Sequence, residues 1–175
     1  EYVQKYVLFD NISVPEIEKW KQEYIFLLKK ISLASGNRQL VLKSPPNTAR
    51  IKTLLSLFPG AKFILIHRNP YEVYASNKRF WKVTQKIYAL GGTKLPDTNT
   101  TILDSYAKTM HRYLLEKDQV PQGQLTELAF EDFVTKPVES MRAVYKELNL
   151  GDFGYCEGKM RSYAEHQKKF KILDH

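Results

Sequence analysis

Between Pro15 and Ser35 apolar residues recur at three- and four-residue steps: Ile17, Trp20, Tyr24, Leu27, Leu28 and Ile31, with Glu16, Glu18, Lys21 and Lys30 between them. That period predicts an amphipathic helix, with Ser13 as its N-cap and Gly36-Asn37 as its stop. Gln39-Leu40-Val41-Leu42 is then a short apolar run ending at Lys43, which predicts a strand. Ser44-Pro45-Pro46-Asn47-Thr48 interrupts regular structure, because neither proline can donate to a ladder and each restricts the residue before it. Ala49 to Leu57 returns to helical spacing and is closed by Pro59-Gly60. Lys62-Phe63-Ile64-Leu65-Ile66 is the clearest strand. Its continuous β-branched and aromatic run predicts burial on both faces, as in a parallel sheet. Asn69-Pro70 opens the next helix, with Asn as N-cap and Pro at the first helical position; the helix runs past Trp81.

Strand 39–43, helix 49–57 and strand 62–66 together predict a compact βαβ unit with a right-handed crossover. Gly91 to Thr101 reads as a polar loop and Ile102 to Glu116 as a helix. Gln124 to Phe130 is a third strand, Pro137 to Leu148 a further helix, and Lys159 to Phe170 a terminal basic helix. The expected fold is α/β in three layers, a mostly parallel sheet with flanking helices, with residues 1–175 forming a single domain. No internal repeat or low-complexity segment interrupts it.

Composition narrows the functional classes. With 175 residues, 43% hydrophobic and 13% aromatic, the chain can bury a core, which excludes a disordered polybasic tail. The longest apolar run, Tyr24 to Leu28, is too short to span a bilayer. The single cysteine, Cys156, excludes an intrachain disulfide framework and a Cys-rich zinc site. His111, His166 and His175 are too scattered for a metal site, so no metal is expected. The start at Glu1 shows neither a basic n-region nor an apolar h-region, which predicts no signal peptide and a cytoplasmic location.

The net charge is +8, and its placement matters more than its total. Residues 38 to 90 carry ten basic side chains (Arg38, Lys43, Arg50, Lys52, Lys62, Arg68, Lys78, Arg79, Lys82 and Lys86) against one acid, Glu72, a net +9. The other residues carry 17 basic and 18 acidic groups. Basicity this local predicts an anionic ligand met by one part of the chain.

The stretch from Lys62 to Ser76 carries the chemistry. A buried parallel strand delivers Arg68 to its carboxyl end, the edge where open α/β sheets bind ligands. The next helix starts at once, so its unpaired N–H groups and positive dipole end face the same place. Arg68 adds a planar fork suited to a phosphate. Ser76 lies two helical turns beyond Asn69, about 10 Å along the axis and on a similar face, where its hydroxyl can meet another oxygen of the same anion.

Ile66-His67-Arg68-Asn69-Pro70, with Ser76 eight residues after the Arg, resembles the 3′-phosphate-binding motif of sulfotransferases that use 3′-phosphoadenosine 5′-phosphosulfate. Leu42-Lys43-Ser44-Pro45 is similar to the Leu-Lys-Ser-Pro segment of the branch rich in bacterial members, and Leu54 to Ala61, with Phe-Pro-Gly-Ala, fits the same branch. Ala129-Phe130-Glu131-Asp132-Phe133 with Lys136-Pro137 resembles the family's Tyr-Glu-Asp segment. The resemblance covers roughly Gln39 to Leu150. It implies a fold like that of P-loop nucleotide-binding proteins and a sulfuryl transfer from 3′-phosphoadenosine 5′-phosphosulfate to a hydroxyl or amine. It further implies that Arg68 and Ser76 hold the 3′-phosphate and that Phe130 stands where the family has a tyrosine near the adenine. Lys43 would stabilise charge on the sulfuryl group in an in-line transfer.

Two departures qualify that resemblance. The family's Gly-Thr/Ser-rich loop, which grips the 5′-phosphosulfate upstream of Leu-Lys-Ser-Pro, has no counterpart here, nor does any Gly-x-x-x-x-Gly-Lys-Ser/Thr. The chain is therefore expected to be incomplete at its N-terminus and inactive alone. Pro45 also occupies the place where cytosolic sulfotransferases have a catalytic His, and Asn47 another place where related sequences carry one. Neither takes a proton near neutral pH, which leaves the base to Glu131, to the missing part or to the acceptor. His67 alternates with Arg68 along the strand and is expected to be a packing residue. Glu131 and Asp132 are expected to cap the following helix or orient neighbours, and Lys168, Lys169 and Lys171 to form a solvated helix face.

Three rivals stand against the sulfotransferase reading. The pI near 9.4 suggests a nonspecific nucleic-acid-binding module, although a charge focused on one strand end favours a small nucleotide. The absent loop and base suggest a non-catalytic sulfotransferase-like binding protein. A nucleotide kinase would need the Walker loop and a magnesium carboxylate. The acceptor side is left to loops such as Gly91 to Thr101, and neither it nor the oligomeric state has a sequence signature.

Overall fold

The computed structural model describes residues 5–88 and 97–167. Among the described residues the elements run in the order α1 (Val14–Ala34), a 3-10 turn (Pro45–Ala49), α2 (Ile51–Leu57), β1 (Phe63–His67), α3 (Pro70–Tyr88) and α4 (Thr98–Glu116). A 3-10 turn (Lys117–Gln119), β2 (Leu125–Ala129), α5 (Phe130–Thr135), α6 (Pro137–Glu147) and α7 (Gly154–Gln167) follow. Contacts divide the chain into two compact units. One holds Glu1–Pro59 with Ala107–Gln119, the other Gly60–Tyr106 with Val120–His175.

In the first unit α1 begins at Ser13, whose backbone N–H (3.1 Å) and hydroxyl (2.8 Å) both donate to the Glu16 carboxylate. Lys5 lies 2.8 Å from the same carboxylate. The Lys5 and Ser13 hydrogen bonds, the Lys5 one foremost, hold the Glu16 carboxyl down at about 2. At the other end Asn37 N–H bonds Ser32 C=O (2.8 Å) and Gly36 N–H bonds Leu33 C=O (3.1 Å), with Gly36 at φ +72°. That pattern closes a helix through a left-handed residue, which glycine adopts without steric cost. The core gathers Leu8, Ala49, Ile51, Leu54 and Tyr113. Within it Glu116 is buried and accepts the Lys52 backbone N–H at 2.9 Å. Arg50 stacks its guanidinium on Phe9 (4.8 Å) and Trp20 (5.0 Å) and donates to the Val7 and Tyr6 carbonyls.

Residues 39–43 make no strand: they join no ladder, and Val41 is 93% exposed. A strand exists through its hydrogen-bonded partner, and none of the described residues pairs with this run. The expected βαβ unit thus reduces to α2 leading into β1. The proline segment, expected to be irregular, winds into a single 3-10 turn instead.

The second unit holds the sheet. β1 pairs with β2 in parallel, with Phe63 opposite Leu125 and His67 opposite Ala129. Burial on both faces is not observed: Phe63 and Leu65 are half-buried while Ile64 and Ile66 are 43% and 53% exposed. One face of β1 packs inward and the other is open. The core combines Ile102, Thr126, Val138, Val144, Leu148 and Phe153; α6 contributes Val138 and Val144, and its C-cap adds Leu148. Thr126 satisfies its buried hydroxyl on the Glu147 carboxylate. The loop expected to end at Thr101 ends earlier, because Asp97 caps α4 through the Thr100 N–H (3.0 Å) and hydroxyl (2.6 Å). Residues 91–96 and Lys168, Lys169 and Lys171 lie outside the described residues. The terminal helix begins at Gly154, five residues before its expected start.

Candidate anion site at the carboxyl edge of the sheet

Parallel pairing fixes which residues meet beyond the strand ends. With His67 opposite Ala129, continuing the register sets Arg68 beside Phe130 and Asn69 beside Glu131. Both meetings are made: the Arg68 guanidinium carbon lies 4.7 Å above the centre of the Phe130 ring, and Asn69 N–H donates to Glu131 Oε1 at 3.1 Å. Helix α3 starts here as its sequence dictates. Asn69 Oδ1 accepts the Tyr71 N–H at 2.9 Å, its carbonyl accepts the Glu72 N–H (3.1 Å) and the Val73 N–H (3.0 Å), and Pro70 takes the first helical position.

Arg68 is half-buried and paired. Its Nε donates to Glu72 Oε2 at 2.8 Å, and Nη2 lies 2.6 Å from the same oxygen. A cation over an aromatic face and beside a carboxylate is held in both plane and rotation. Glu131 is exposed, and its carboxyl is lowered from the ordinary value chiefly by the backbone N–H of Asn69, with Arg68 and His67 adding charge attraction. A carboxylate so stabilised is a poor proton acceptor, which favours its role as a clasp between the β1–α3 and β2–α5 turns over that of a base.

Ser76 is half-buried on α3, two turns from the helix start, in the same unit as Arg68 and Phe130. Lys43 is exposed and belongs to the first unit. His67 is exposed, not a packing residue, because β1 ends on it where the sheet runs out of covering structure. The partner that residue patterns missed is Glu72, whose i,i+4 spacing from Arg68 was the available signal. Among the described residues no cluster of His, Cys, Asp or Glu has a metal-binding arrangement, and no helix is long and apolar enough to cross a membrane.

Comparison with known proteins bears on this arrangement. The model of the sulfotransferase family matches residues 16–153, a stretch that takes in residues of both compact units and every candidate site residue. The chain belongs to the sulfotransferase family. Two curated relatives are the omega-hydroxy-beta-dihydromenaquinone-9 sulfotransferases Stf3 of Mycobacterium bovis and Mycobacterium tuberculosis. Each is 27% identical over 168 residues, covering 96% of this chain and 43% of the relative. The chain therefore spans less than half the length of the curated relatives it matches. No solved structure matches it significantly.

Proposed function

We propose that this chain is the carboxyl-side portion of a sulfotransferase domain that moves a sulfuryl group from 3′-phosphoadenosine 5′-phosphosulfate to an acceptor hydroxyl. In this reading the two compact units belong to one three-layer domain with a P-loop-like fold. The loop that grips the 5′-phosphosulfate lies in the part of the protein beyond residues 1–175. Arg68 and Ser76 hold the 3′-phosphate. Phe130 carries the Arg68 guanidinium and borders the adenine, and Lys43 stabilises negative charge on the sulfuryl group and its bridging oxygen as transfer proceeds.

The observation that carries this reading is the strand-end Arg68 seated on Phe130 beside the start of α3. A guanidinium kept half-buried at the carboxyl edge of a parallel sheet, one residue from a helix N-terminus, is arranged for a phosphate. The family match spans Lys43, Arg68, Ser76 and Phe130, which supports reading each as a sulfotransferase residue. A hydroxyl is preferred over an amine as acceptor because the named relatives act on a hydroxylated menaquinone.

Titration calorimetry of adenosine 3′,5′-bisphosphate into the full-length protein tests the assignment. Arg68→Ala should weaken binding by about tenfold or more, the loss expected of a charge-assisted contact. Lys43→Ala should leave that affinity within about threefold and reduce turnover by about a hundredfold, as for a group acting on developing charge. Unchanged affinity in Arg68→Ala would remove the site.

A further inference from the structure

Glu72 stands out as the one acid in a window of ten bases, and it is spent on Arg68. Its Oε2 receives both Nε (2.8 Å) and Nη2 (2.6 Å), so it occupies the side edge of the guanidinium. Of the five N–H donors on that group, the contact takes Nε–H and one Nη2–H. The two on Nη1 and the second on Nη2 have no partner among the described residues. Of these, the second N–H of Nη2 and one N–H of Nη1 form the end-on edge, the edge that meets a phosphate with two parallel hydrogen bonds.

Phe130 supplies the other restraint. Its ring, 4.7 Å from the guanidinium carbon, sets the plane, and Glu72 sets the rotation within that plane. An arginine side chain left free loses much rotamer entropy when it is fixed by a ligand; one already held loses less. The backbone that carries Glu72 is fixed, because it lies in the first turn of α3 with its N–H on the Asn69 carbonyl. Its side chain is half exposed, so its substitution removes no core contact.

We infer that Glu72 is a positioning residue that acts through Arg68, presenting the end-on edge of the guanidinium to the 3′-phosphate instead of competing with that phosphate for it. The inference rests on the proposed 3′-phosphate role of Arg68. It requires that removing a negative charge from beside a phosphate site weaken phosphate binding, the reverse of what simple charge repulsion predicts.

The experiment is a mutant cycle in the full-length protein, with adenosine 3′,5′-bisphosphate and adenosine 5′-monophosphate as probes. Glu72→Ala is expected to weaken the bisphosphate by about five- to twentyfold, the range for coupled charged neighbours, and to leave the monophosphate, which lacks the 3′ group, within about twofold. In an Arg68→Ala background Glu72→Ala should add nothing. Glu72→Gln, whose amide oxygen still accepts from Nε, should recover most of the loss. Thermal unfolding of each variant confirms the fold at this exposed position. Tighter bisphosphate binding by Glu72→Ala, an equal loss for both probes, or a loss that persists without Arg68 would overturn the inference. If Arg68→Ala itself leaves bisphosphate affinity unchanged, the site reading has failed first, and Glu72 falls with it.

Discussion

A half-buried guanidinium has few places to be, and at Arg68 its face and one side edge are set by neighbours that the register of two strands and one turn of helix supply. The same economy applies to the acids around it. Glu131 holds the backbone N–H of Asn69, and that contact, more than any charge, keeps its carboxyl ionised below the usual range. A carboxyl depressed in the folded state favours folding above its unfolded value, and that contribution is lost as pH falls through the folded value. The pH window lies on the acid side of ordinary glutamate. A carbon-detected NMR titration should show Glu131 with a midpoint below the ordinary glutamate value, and Asn69 N–H shifting in step with it. A normal midpoint for Glu131 would mean that the clasp is not made. Other bases of the +9 window are spent differently: Arg50 on aromatic rings and carbonyls, and Lys62 on the Gly123 carbonyl at 2.8 Å.

Among the elements, helix ends with local caps were readable, whereas the short α5 and the strand pairings were not. Ser13, Asn69-Pro70 and Gly36-Asn37 act within four residues of themselves, so their pattern predicts α1 and α3 to within a residue or two at the ends that they cap. The strand segments are short apolar runs whose fate depends on a partner far along the chain. Phe63–His67 found one in Leu125–Ala129; residues 39–43 did not among those described, and Val41 stands in solvent. The place of Arg68 at the strand end and the helix start at Asn69-Pro70 were legible because both are local. The stacking of Arg68 on Phe130 and the Glu131 clasp follow from strand register, which no local pattern encodes. Helix α6 shows how tightly the second unit is packed around that register. Leu148, its C-cap, is fully buried. Leu148→Ala should therefore cost about 2–5 kcal/mol in urea unfolding, the range for a large-to-small core change; a loss under about 1 kcal/mol would mean that the site collapses without a cavity.

For the whole molecule, the question is whether a basic chain meets a polymer or a small anion. A protein on nucleic acid releases about 0.9 counterion per phosphate contacted, so its affinity falls by roughly a thousandfold or more from 50 to 200 mM salt when six or more contacts are made. A nucleotide held through one or two phosphates should lose only about tenfold over the same range. Measured on the full-length protein, a shallow salt dependence that vanishes in Arg68→Ala supports the nucleotide; a steep one indifferent to Arg68 supports a polymer. The parallel pairing of β1 with β2 also sets when such binding can begin. Asn69 and Glu131 are 62 residues apart in sequence, so the edge that holds them closes only after a long loop has been ordered, a slow step in folding. A ribosome-bound chain that has emerged only as far as Gln119 already carries Arg68, Glu72 and Ser76, yet it lacks the ring and the clasp. With Arg68 in its proposed phosphate-binding role, nucleotide affinity is expected to appear only once β2 has joined β1.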